Sequence, residues 1–304
     1  MIELKQVVKK FDKTPVLDSI DLTIEKGTAY GLLGSNGAGK STILRLISGI
    51  YSQEEGQVLV DGKTVFDNND TKKKIFFIND ETIQFSKYTL LELKKFYKNF
   101  YNNFSEKIFE NLIETIKLPL NKKIRTFSKG MKRQAIVAIA LSCQTEYLLL
   151  DEAFDGLDPT MRIIVKKILV DAMIDRELTV VISSHNLKEI NELCDTVALL
   201  HKGKMVFSRN LDDIKSNIHK IQVAFSNEYN KNIYSKDDFN GLDILHFEKN
   251  ESIYHLIIKG DISIIKKEIM KKKPLILDIL PLTLEEIFIY EMEGLGYEYH
   301  PIEK

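Results

Sequence analysis

The run Gly34-Ser35-Asn36-Gly37-Ala38-Gly39-Lys40-Ser41-Thr42 matches the pattern G-x-x-x-x-G-K-[ST] at every position. Glycines at that spacing let successive backbone N–H groups turn toward one anion, and a following helix adds the positive end of its dipole. In such a loop Lys40 reaches the outer phosphates of a nucleoside triphosphate and the Ser41 hydroxyl ligates Mg²⁺. Further along, Tyr147-Leu148-Leu149-Leu150 runs into Asp151 and Glu152, an apolar strand that delivers two carboxylates at its C-terminal end. Ligands of open α/β sheets sit outside that end. Asp151 suits the metal, and Glu152 faces the γ-phosphate. Of six histidines, His185 alone closes a β-branched segment, beside Ser183 and Ser184. A glycine turn or an acidic turn that binds nothing would explain either motif alone. Their order, roughly a hundred residues apart, points to phosphoryl chemistry.

The flanking segments supply the elements these residues need. Thr28-Ala29-Tyr30-Gly31-Leu32-Leu33 reads as a buried strand, and Ile43, Leu44, Leu46 and Ile47 recur at helical spacing. Residues 2–24 read as strands turning at Asp12-Lys13-Thr14-Pro15, with Phe11 placed to stack on a base. Ile75-Phe76-Phe77-Ile78 is another strand, and residues 88–118 turn helical until Pro119. Ser128 reads as the N-cap of an apolar helix, a second surface with free N–H groups. Gly156-Leu157-Asp158-Pro159 turns into a further helix. After about residue 215 come strands at 218–225, 253–258 and 275–280, a polar stretch at 226–241, and helices at 261–273 and 283–293.

Bulk properties exclude more than they assign. A net charge of −1 over 304 residues gives no general attraction to nucleic acid or an anionic membrane. Cys143 and Cys194 have no metal-type spacing, so they read as reduced thiols packed in helices. The charged start Met1-Ile2-Glu3-Leu4-Lys5 is unlike a secretion signal, and no run approaches a membrane span.

Over residues 2–215 the ordered motifs resemble the ATP-binding cassette (ABC) ATPases, specifically the separate nucleotide-binding subunits of drug, bacitracin and peptide exporters. The resemblance implies an α/β P-loop NTPase core with antiparallel β and helical subdomains, the latter over about residues 82–142, and a small α+β extension over residues 216–304. It implies that Phe11 stacks on adenine and that residues 34–42 cradle ATP. Asp151 would hold Mg²⁺, Glu152 would polarise the attacking water, and His185 would touch the γ-phosphate.

Phe127-Ser128-Lys129-Gly130-Met131 resembles the family signature L-S-G-G-Q and keeps Ser128 and Gly130, which the resemblance implies contact nucleotide held by the opposite subunit. Where the family has a metal-facing glutamine, the resemblance implies Asp80, or Asn79 beside it, in this chain. Pro281-Leu282-Thr283-Leu284-Glu285-Glu286-Ile287-Phe288 resembles the closing segment of such exporter ATPases. The implied partners are a second ATPase subunit, identical or different, and an integral membrane permease, with no nucleic acid. The implied location is cytoplasmic, peripheral on the inner face of the cell membrane. Chromosome or repair ATPases of this type carry long heptad insertions, whereas only about 85 residues without heptads separate loop and signature here. Ribosome-associated members carry two cassettes, and this chain has one phosphate loop.

Overall fold

A computed structural model describes residues 1–79, 85–225 and 234–294. The chain forms two compact units, Met1–Arg209 and Asn210–Lys304. In the first, a six-stranded sheet runs in the order Lys204–Asn210, Thr196–His201, Ala29–Leu33, Thr179–Ser183, Tyr147–Asp151, Ile75–Ile78. The last five pair in parallel. Ala29–Leu33, Tyr147–Asp151 and Thr179–Ser183 are buried at every residue, as strands covered on both faces must be. Their middles are therefore mostly apolar, and Asp151 and Ser183 stand at the C-terminal ends of two of them.

A four-stranded antiparallel sheet joins Thr14–Ile24, Ile2–Phe11, Glu55–Val60 and Lys63–Thr64. Its inner face (Ile2, Leu4, Ile20, Ile24, Val58) shares one core with Tyr30, Leu32 and Leu149 of the parallel sheet. Ile43, Leu44, Leu46 and Ile47 of the helix Lys40–Ile47 enter the same core. Burying one such aliphatic side chain contributes about 1.5–3 kcal/mol, so this helix is held at its start by packing.

Helices Leu90–Phe100 and Glu106–Ile116 follow the aromatic and leucine spacing, and Lys129–Ser142 carries the apolar run after Ser128. Thr89 and Glu92 form a reciprocal capping box, and Ser105 caps the next helix. Both cysteines are buried free thiols lying one residue past helix ends, at the C-caps. Burial pushes both thiols far above their ordinary pKa. No helix among the described residues is long and apolar enough to cross a membrane.

The second unit is a four-stranded antiparallel sheet in the order Asp243–Asn250, Ile253–Lys259, Ile218–Ala224, Ile276–Leu280. Ile221, Val223, Leu256 and Ile258 meet Ile265 and Ile269 of the helix Ile262–Met270. The helix Leu284–Gly294 buries Leu284 and Ile287. Thr283 and Glu286 exchange capping bonds, and Lys220 pairs with Glu286 at 2.5 Å. Among the elements that went unread in the sequence are the short helix Leu211–Asn217 and the strand Asp243–Asn250. That strand lies at a sheet edge and buries only Ile244 fully, so its apolar alternation is weak.

Candidate functional site

The phosphate loop leaves the C-terminal end of Ala29–Leu33, the middle of the parallel sheet. Gly34 is half-buried, Ser35, Asn36 and Gly37 are exposed at the rim, and Ala38, Gly39 and Lys40 are buried beneath. Gly39 occupies the N-cap of Lys40–Ile47 with φ 108°, in the left-handed region. A Cβ there would lie 2.5 Å from Leu17 Cδ2, so glycine is required on both counts. No side chain caps this helix, and its first turn holds no acidic residue, which leaves the N–H groups for an anion.

Lys40 is 7% exposed, and its ammonium donates to the carbonyls of Gly34 (2.7 Å) and Ser35 (3.2 Å). Burial lowers its pKa, while the charges of Glu152 and Asp151 push it back up. A buried cation bonded to neutral carbonyls is a group prepared for an anionic ligand.

Tyr147–Asp151 places Asp151 level with Ser183 of the neighbouring parallel strand. Asp151 Oδ1 accepts the hydroxyls of Ser183 (2.5 Å) and Ser41 (3.0 Å), and its Oδ2 receives no hydrogen bond from a described residue. A hydroxyl and a carboxylate make a hard, oxygen-only donor set, which fits Mg²⁺. Glu152 follows immediately with φ 49°, a left-handed conformation that costs a glutamate about 1–3 kcal/mol. Its N–H donates to the Ser183 carbonyl (3.1 Å), and the Arg133 guanidinium donates to its carbonyl (3.2 Å) and to that of Asn79 (2.9 Å). The bend aims the carboxylate at His185, whose Nδ1 lies 2.9 Å from Glu152 Oε2. The strand ends at Ser183, so His185 stands two residues beyond it on a turn, with its side chain 62% exposed.

The chain matches the ABC transporter family over residues 17–155. It is 32% identical over 294 residues to the ABC transporter ATP-binding protein YtrB of Bacillus subtilis (strain 168), covering 97% of this chain and 99% of that protein. The chain belongs to the ABC transporter ATP-binding subunits. Another ABC relative, the methionine import ATP-binding protein MetN of Clostridioides difficile (strain 630), is 28% identical over 324 residues, 98% of each chain. A solved ATP-binding subunit of an ABC transporter superposes with a TM-score of 0.65 at 25% identity, over 71% of this chain and 92% of that one. As an ABC ATPase subunit of a transporter, the chain binds and hydrolyses ATP.

In this ABC ATPase Phe11 is 40% exposed at the end of its strand. Its ring meets Tyr51 edge-on, with centroids 5.3 Å apart, and the Lys9 ammonium lies 5.3 Å from its centroid. Sequence reading missed Tyr51, forty positions away, because only pairing of Ile2–Phe11 with Glu55–Val60 brings the segments together. Ser128 is exposed and caps Lys129–Ser142, accepting the Met131 N–H at 3.1 Å. A Cβ on Gly130 would lie 2.8 Å from the Gly156 carbonyl, so the signature glycine permits the close approach of these two segments. Ser183 and Arg133 were also missed. The serine pair before His185 was the available signal for Ser183, whereas Arg133 gave none. Asp80 lies outside the described residues.

Proposed function

We propose that this subunit powers an exporter by closing, as a dimer, around ATP. The observation that carries the reading is the convergence of Lys40, Asp151 and the Glu152–His185 pair at one end of a single parallel sheet. Residues 34–42 hold the triphosphate and Phe11 receives the adenine face. Mg²⁺ would be held by Ser41 and Asp151, with Asp80 a further proposed ligand, and would supply positive charge at the β- and γ-phosphates. Glu152 accepts a proton from the attacking water, while Lys40 and His185 stabilise charge developing on the γ-phosphate.

The helix start at Ser128 (exposed) and Gly130 (half-buried), with no acid in its first turn, completes the site of a second copy, so nucleotide favours the closed pair over the open one. Closure and reopening drive an integral membrane permease, which holds the subunit at the inner face of the membrane. Export is supported by the motif pattern and by the tail around Thr283 and Glu286, and the similarity to MetN supplies import as the rival.

The test is Glu152→Gln. ATP binding is retained, turnover falls by about 10²-fold or more, and an ATP-bound dimer accumulates in size-exclusion chromatography. Normal turnover refutes the assignment. With the permease reconstituted in vesicles, cargo moving away from the ATPase face supports export, and movement toward it establishes import.

A further inference from the structure

Glu189 is a carboxylate 4% exposed that takes no part in the chemistry above. It lies on the helix Leu187–Leu193, directly after the His185 turn. Its Oε2 accepts the Ser184 hydroxyl (2.9 Å), and its Oε1 accepts the Asn186 amide (3.2 Å) and the Arg162 guanidinium (3.1 Å). Ser184 Oγ in turn accepts the Asn186 backbone N–H at 3.0 Å. Glu189 therefore grips both neighbours of His185. Arg162, in the first turns of the helix Pro159–Arg176, also donates through Nε to the Leu157 carbonyl at 3.1 Å. Leu157 follows Gly156, whose carbonyl backs onto Gly130.

We propose that Glu189 and Arg162 are positioning residues for hydrolysis: they fix the His185 turn against the Gly156-Leu157-Asp158 turn, so that the imidazole stays aimed at Glu152. Three features carry this. A buried carboxylate is retained only where its charge is compensated and its oxygens are bonded, and both conditions are met by the two turns that must hold a common geometry. The Glu152–His185 contact depends on where the turn backbone sits, since the His185 side chain is exposed and, among the described residues, makes its hydrogen bond with Glu152. Neither positioning residue approaches the loop at residues 34–42 through any hydrogen bond among the described residues, so ATP affinity is separable from their effect.

The inference rests on the role proposed for His185, and the experiment separates the two. ATPase kinetics are measured for Glu189→Gln, His185→Ala and the double variant, with nucleotide binding followed in parallel. Glutamine keeps the volume but presents a donor to the Ser184 hydroxyl or to the guanidinium. The expected result is a fall in kcat of about tenfold or more with KM for ATP within about twofold. In the His185→Ala background the same change has little further effect, because the turn has no imidazole left to aim.

Arg162→Lys serves as the gentler variant should Glu189→Gln not fold. Lysine keeps the charge but cannot serve Leu157 and Glu189 together, and a smaller fall in kcat at unchanged KM is expected. An unchanged kcat in either folded variant, a matching loss of ATP affinity, or an undiminished effect without His185 overturns the inference. If His185→Ala turns over normally, the role of His185 falls with it. If His185→Ala is slow while Glu189→Gln is normal, the positioning role alone fails.

Discussion

The nucleotide end of the first unit and the second unit treat charge in opposite ways. In Met1–Arg209, Lys40 and Asp151 are 7% and 6% exposed, yet their direct hydrogen-bond partners are neutral carbonyls and hydroxyls. In Asn210–Lys304 the core is apolar, and Lys220 and Glu286, each about a quarter exposed, neutralise one another. Desolvated charges whose direct hydrogen-bond partners are neutral destabilise an empty site and favour a ligand of complementary charge. Lys40 and Asp151 therefore hold binding energy in reserve, whereas Arg162 and Glu189 elsewhere in the first unit, and Lys220 and Glu286 in the second, neutralise one another.

Lys40→Ala tests this contrast most severely. ATP binding and hydrolysis should fall by about 10²-fold or more, while the nucleotide-free protein melts at an unchanged or higher temperature, since a buried, neutrally bonded cation is gone. A loss of melting temperature as large as that of a core truncation would break the comparison.

Leu256→Ala is that truncation. Leu256 is fully buried in the second unit, and its loss should cost about 2–5 kcal/mol, seen by denaturant unfolding, with the ATPase rate little changed at 25 °C. A collapse of ATPase activity in the folded protein would show that the second unit also serves the nucleotide site.

The smallest effect concerns pH. Burial pushes the Glu286 carboxyl up, but Lys220 and the Thr283 N–H outweigh it and hold the pKa below its ordinary value. A depressed carboxylate stabilises the fold above its unfolded pKa and loses that contribution as pH falls through its folded value. Second-unit stability should therefore decline below about pH 4–5, and Glu286→Gln should flatten that decline. An unaltered acid profile in Glu286→Gln would remove the ion pair from the comparison.

The loop, its flanking strand and helix, the carboxylates at the end of Tyr147–Asp151 and the Ser128 cap were legible because each rests on local rules of turn, periodicity and capping. The edge strand Asp243–Asn250 was not, since pairing rather than alternation makes it a strand. The role of Tyr51 beside Phe11 was hidden for the same reason.

The chain on its own determined which groups are proposed to meet phosphate and pointed to ATP, because the spacing of glycine, lysine and serine is set by backbone geometry over nine residues. Tertiary structure alone decided how those groups are held. Ser183 reaches Asp151 across a parallel ladder, Arg133 pins the bent backbone at Glu152, and Glu189 ties together turns some thirty residues apart. Such contacts join residues far apart in sequence, and only the packed sheet and its helices bring them within hydrogen-bond range.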